Sequence, residues 1–139
     1  LGGRAQKWDR GWGLGTKKIK LVDLPDWLEE ADFTGNQNQT VNLIHVHQDQ
    51  VIELPNGARH IGIACHCKNA AYMISDTVFS LQGHPEFDVP YTEALVGLLE
   101  DRAGRSCVAA ARLSLSTPHD GKRVAKWILK FFARHANPQ

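Results

Sequence analysis

The chain has 139 residues, of which 42% are apolar and 22% charged, with a formal net charge of +1. That is enough for one domain with an ordinary core, and no run of about 18 apolar residues is present to span a membrane. The N-terminus lacks a basic-then-apolar signal pattern, and three cysteines (Cys65, Cys67, Cys107) are a sparse, odd set for a disulfide framework, so the expected compartment is the reducing cytoplasm.

In chain order, the first fifteen residues are glycine-rich (Gly2, Gly3, Gly11, Gly13, Gly15), with Trp8 and Trp12 between. Tryptophan seldom sits in a free tail, so this stretch is expected to be a structured loop or irregular connection. A short strand is expected at 19–22. One or two helical turns are expected at 25–30, with Pro25 near the first helical position and acids in the first half. Residues 35–39 are polar turn material. Five short strands follow, at 40–46, 50–54, 60–65, 70–75 and 77–82, divided by turn signals at Pro55-Asn56-Gly57 and Ser75-Asp76. Such spacing leaves no room for crossover helices, so hairpins are expected.

Beyond residue 87 the period changes. Ala94, Leu95, Leu98 and Leu99 give helical spacing across 91–102, and a second helix is expected at 107–115 after Gly104. The strongest helix spans 121–135, with Val124, Trp127, Ile128, Phe131 and Phe132 on one face and Asp120 as its cap. That stripe reads as core packing. Charge is uneven: residues 36–101 hold eight acids and two bases, and residues 102–139 hold eight bases and one acid. Those bases are not interleaved with aromatic residues in the manner of a single-strand binder, so they read as a solvated helix face and no nucleic acid is expected.

The chemistry concentrates at Gln82-Gly83-His84-Pro85-Glu86-Phe87. A β-branched and apolar run (Thr77, Val78, Phe79, Leu81) leads into it, as a buried strand leads to a catalytic strand end. His84 and Glu86, two apart in extended backbone, can point to one side of the sheet, and Pro85 restricts the backbone between them. A carboxylate that accepts from one ring nitrogen frees the other to act as a base, which makes two thirds of a nucleophilic triad. Other candidates are weaker. His45 and His47 share a strand face, as do Cys65 and Cys67, and together they have zinc-type donors. Their spacing is that of no finger or ribbon, so no metal is expected. Cys67 lies between His66 and Lys68, cations that lower a thiol pKa, yet a buried structural thiol is the expected role. His60, His119 and His135 carry no signal.

The segments His47-Gln48-Asp49-Gln50-Val51, Glu53-Leu54-Pro55, 64–69 and Gln82 to Phe87 resemble the class I glutamine amidotransferases, the family that uses a Cys-His-Glu triad. Leu1-Gly2-Gly3 and Gly11-Trp12-Gly13-Leu14-Gly15 resemble the family's stretch after its nucleophile helix, and the Trp127 helix resembles its last helix. The amidotransferase domain of GMP synthase is the branch most similar. The resemblance implies an α/β fold: the C-terminal portion of a flavodoxin-like domain, a mixed sheet with hairpins followed by C-terminal helices, over 1–139 as one partial domain. It implies glutamine hydrolysis to glutamate and ammonia, with His84 as the base, Glu86 as its orienting carboxylate, and Val46, Gln48 and Asp49 contacting the glutamine backbone atoms. The family's nucleophile lies in a Gly-x-Cys-x-Gly elbow before the Leu-Gly-Gly stretch. No such elbow occurs in this sequence, so the chain alone is expected to be inactive. No cofactor is implied. The implied partners are glutamine or a γ-glutamyl compound, a missing N-terminal half or synthase partner, and a second copy of the chain in a homo-oligomer. Two other readings stand beside it: a hydrolase of γ-glutamyl conjugates, and a non-catalytic oligomeric binding module derived from the same fold.

Overall fold

The computed structural model describes residues 1–28 and 39–136, so the polar turn expected at 35–39 and the end of the helical turns expected at 25–30 lie almost wholly outside the described residues. Strand β1 (Arg4–Lys7) pairs antiparallel with β4 (Asp49–Glu53) as a two-stranded sheet. Five further strands, β2 (Gly13–Leu21), β3 (Thr40–His47), β5 (Ala58–Ala64), β6 (Cys67–Ile74) and β7 (Val78–Leu81), form a second sheet in the order β3-β2-β5-β6-β7. Every pairing among the described strands is antiparallel, as the short connections require. Four helices follow: α1 (Val89–Leu98), α2 (Glu100–Ala103), α3 (Arg105–Ser114) and α4 (Gly121–Ala136).

The expected irregular N-terminal stretch is instead β1 and the first half of β2, so the strand expected at 19–22 begins at Gly13. The glycine that misleads is Gly15. It is in the left-handed region (φ +79°), and a Cβ there would collide with the Ser114 hydroxyl and lie 2.8 Å from the Ala111 carbonyl oxygen. Glycine here serves close packing of α3 on β2, which Ser114 Oγ completes by accepting a 3.0 Å hydrogen bond from Thr16 N–H.

Alternation divides the sheet into two faces. Ile19, Leu21, Val41 and Leu43 join Val124, Trp127 and Phe131 of α4 in the main core, while Leu14 and Val46 pack with Val96, Val108 and Ala111 of the other helices. The α4 stripe is thus core as expected, except that Phe132 is 64% exposed. Asp120 departs from its expected role. Its carbonyl accepts from Val124 N–H, but its carboxylate accepts a 2.7 Å bond from Asn42 N–H, because the Asp120 backbone runs beside the outer edge of β3.

One consequence of curling positions the site. β3 and β7 stand at opposite ends of the strand order, yet the chain leaving β7 returns to β3: His84 N–H donates to the Ile44 carbonyl at 2.7 Å. The Gln82-to-Phe87 segment therefore lies beside the β3 histidines.

Candidate active site

His84 follows β7, and Asp88 ends the same segment by capping α1, its Oδ1 accepting from Tyr91 N–H at 2.8 Å. Between these anchors, His84 Nδ1 donates to Glu86 Oε1 at 2.8 Å. The proton is then fixed on Nδ1, and Nε2 carries the lone pair of a general base. The His84 ring stacks on Phe87 at 4.0 Å between centroids and 3° between planes, which fixes the ring plane. At 32% side-chain exposure for His84 and 62% for Glu86, the pair faces solvent. Beside it runs an apolar groove of about 330 Å³, lined by His84, Glu86, Phe79, Leu81, Ile128 and Phe132 among others.

Gln48 and Asp49 line a separate open cleft of about 830 Å³ together with Lys7, Trp12, His47 and Arg102. Val46, named with them from the sequence, turns its side chain into the packing around Leu14 and Val96. Lys7, Trp12 and Arg102 had no signal in the sequence. They come from β1, the connection after it and α2, and only the fold brings them to one cleft.

No cysteine hydrogen-bonds to His84 among the described residues. Cys65 is exposed at a turn, and Cys107 packs beside the Leu14 cluster. Cys67 lies in the main core with burial pushing its thiol up to about 11, so it is the structural thiol expected and not a nucleophile at neutral pH.

The metal donors imagined from alternation do not assemble. Among the described residues the grouping is His45, His47 and His66, without Cys65 or Cys67. His45 is fully buried, and burial first, then the facing His66, His47 and His84, lowers its pKa to about 2. Burial and the facing His47 lower His66 to about 4, and burial lowers His47. All three rings are neutral at pH 7.

No protein-family model matches the chain. Over 87 residues it is 30% identical to γ-glutamyl peptidase 2 of Arabidopsis thaliana, covering 63% of this chain and 34% of that protein. A candidate glutamine amidotransferase of Saccharomyces cerevisiae is 36% identical over 88 residues, 63% of this chain and 32% of its own length. The chain thus spans about a third (34% and 32%) of these curated relatives. Among solved structures, a glutamine amidotransferase from Thermotoga maritima aligns at a TM-score of 0.65 and 18% identity, over 96% of this chain and 54% of that one. A glutamine amidotransferase from Methylobacillus flagellatus aligns at 0.53 and 23% identity, over 72% of this chain and 36% of that one. Over 63% of its length the chain is therefore homologous to glutamine amidotransferase-like proteins and γ-glutamyl peptidases, and its fold is the one seen in glutamine amidotransferases.

Proposed function

We propose that this chain supplies the base and the orienting carboxylate for cysteine-dependent hydrolysis of a γ-glutamyl amide. The observation that carries this is the 2.8 Å bond from His84 Nδ1 to Glu86 Oε1, which leaves Nε2 as the base. In the proposed reaction His84 takes the proton of a thiol, the thiolate attacks the side-chain amide carbon, and His84 returns the proton to the departing ammonia or amine; water, deprotonated by His84, then cleaves the resulting thioester to the carboxylate and restores the thiol. The cleft at Gln48 and Asp49 suits the substrate's amino-acid end: the Asp49 carboxylate matches an ammonium, and Lys7 and Arg102 match a carboxylate. Val46 packs against Leu14 and Val96 and does not line this cleft. The thiolate comes from outside Cys65, Cys67 and Cys107. Three free cysteines support a reducing, cytoplasmic setting.

The test is ammonia release from glutamine, and amine release from a γ-glutamyl dipeptide, by the purified chain with and without an added family segment bearing the Gly-x-Cys-x-Gly elbow. Turnover that appears only with the segment is expected. Silence with a segment shown to bind the chain counts against the proposal.

A second reading, a non-catalytic self-associating module, is favoured by one observation: Leu129 and Phe132 are 68% and 64% exposed on α4, Phe132 in the groove beside His84. Sedimentation velocity at micromolar concentration is expected to show a dimer or larger species. A single monomer boundary would remove the support for this reading.

A further inference from the structure

His45 and His47 project from the same face of β3, and His66 occupies the two-residue turn between β5 and β6. The pairing of Gly13 with His47 brings β2 beneath them. His45 Nδ1 lies 3.1 Å from His47 Nε2, and His66 Nε2 lies 3.3 Å from the same atom. One ring nitrogen from each residue falls within 4.8 Å of the other two.

Hydrogen bonding alone does not account for this convergence. His47 Nδ1 faces the Asp49 carbonyl oxygen at 3.1 Å, and a carbonyl only accepts, so the proton of the neutral ring is on Nδ1. His47 Nε2 then has one in-plane lone pair, and two ring nitrogens approach it. One N–H can satisfy that lone pair, which leaves the other approaching nitrogen without a lone pair to meet it. A single cation facing all three nitrogens would satisfy them together. The 3.1 and 3.3 Å separations suit it, since metal–nitrogen bonds of about 2.0–2.1 Å in a tetrahedron place neighbouring nitrogens about 3.3–3.4 Å apart, and the His45–His66 pair, within 4.8 Å, closes to that spacing on binding. The Asp49 carbonyl is the outer partner that orients a ligating imidazole.

The surroundings also fit. A Cβ at Gly13 would lie 2.7 Å from both His47 Nε2 and His66 Nε2, so glycine keeps the meeting point open. His47 lines the cleft of about 830 Å³, and His66 lines a second of about 230 Å³, giving routes of entry and room for water.

We propose that His45 Nδ1, His47 Nε2 and His66 Nε2 bind a divalent cation of the zinc class, with solvent completing its coordination. Three protein ligands and solvent is the arrangement of an open, reactive zinc site and not of a closed structural one. Imidazole donors without a carboxylate favour zinc, cobalt, nickel or copper over magnesium or calcium.

The experiment uses the full chain without an affinity tag, stripped of metal and dialysed against zinc sulfate. One equivalent of zinc is expected, and the cobalt-loaded chain is expected to show the strong visible absorption of a four-coordinate site. H66Q is expected to weaken zinc binding by more than about 100-fold, since loss of an outer-shell partner alone costs 10–100-fold. H60Q, whose ring bonds to the Gly62 and Lys68 carbonyls, is expected to bind like the parent. Circular dichroism and thermal melting establish that both variants are folded. A measurement on the unmutated chain needs no variant: zinc is expected to shift the imidazole nitrogen resonances of His45, His47 and His66 and leave those of His60 and His119 in place. Substoichiometric zinc at micromolar free metal overturns the site. So does equal affinity in folded H66Q, or a shift confined to other histidines.

Discussion

Two groups of histidine side chains lie side by side and are built in opposite ways. The His84–Glu86 pair is local, two residues apart and open to solvent, and one hydrogen bond defines it. The His45, His47 and His66 cluster draws on two strand pairs, with His45 fully buried at its base and His47 and His66 half-buried on cleft walls. An exposed pair can be changed with little cost to folding, whereas a buried cluster of neutral imidazoles is part of what the fold must hold together. Chemistry and stability are therefore expected to separate between the two groups.

The largest effect expected is on turnover. In the chain supplied with a cysteine-bearing segment, His84→Ala is expected to lower kcat by roughly 10²–10⁴-fold, the usual contribution of a positioned general base. The melting temperature is expected to change little. Steady-state kinetics and a thermal melt on the same preparation check both halves, and a large fall in melting temperature would break the separation.

Leu43→Ala addresses the floor shared by the two groups. Leu43 is fully buried, and a Cβ on Gly83 would touch both it and His45, so Leu43 underlies the site segment and the cluster alike. Truncating it is expected to cost about 2–5 kcal/mol of stability. Chemical denaturation measures this, and a loss under 1 kcal/mol would mean that the core beneath the site is looser than its burial implies.

The cluster also predicts a pH dependence. His45 and His66 have folded pKa values of about 2 and about 4, below the ordinary 6.5. Above pH 6.5 neither state takes up these protons, and stability is at its full value. As pH falls below 6.5 the unfolded chain binds them first, so stability declines through the window down to about 4 for His66 and about 2 for His45. The slope is at most about 1.4 kcal/mol per pH unit for each ring, with solvent screening reducing the share of the half-exposed His66. Urea denaturation of the metal-free chain between pH 7 and pH 5 follows it, and stability that holds or rises on acidification would contradict the burial of His45.

What could be read from the sequence follows the same division. The hairpins, the α4 stripe and the Gln82-to-Phe87 segment were legible because each signal is local: alternation, helical period, or residues two apart. The cluster was half legible. Alternation puts His45 and His47 on one face, but nothing local tells that the β5–β6 turn delivers His66 and withholds Cys65 and Cys67. The cleft that joins Lys7 and Trp12 to Arg102 was hidden for the same reason, and Gly15 misled because its purpose lies in α3, about a hundred residues away. Registers and close approaches between distant segments are set by tertiary packing, which local pattern does not encode.

Glu86→Gln gives the smallest expected change in stability and the sharpest reading of the pair. The carboxylate is 62% exposed, so the substitution is expected to move stability by no more than about 0.5 kcal/mol. An amide oxygen can still accept from His84 Nδ1–H, which keeps the ring orientation and the free Nε2. What the amide removes is the negative charge that stabilises the imidazolium formed when His84 takes the thiol proton. Turnover in the supplemented chain is therefore expected to fall while substrate KM stays the same. Equal activity in Glu86→Gln and the parent would reduce Glu86 to a hydrogen-bond acceptor that only sets the ring's tautomer, and the base would owe its strength to Phe87 stacking and the β3 edge instead.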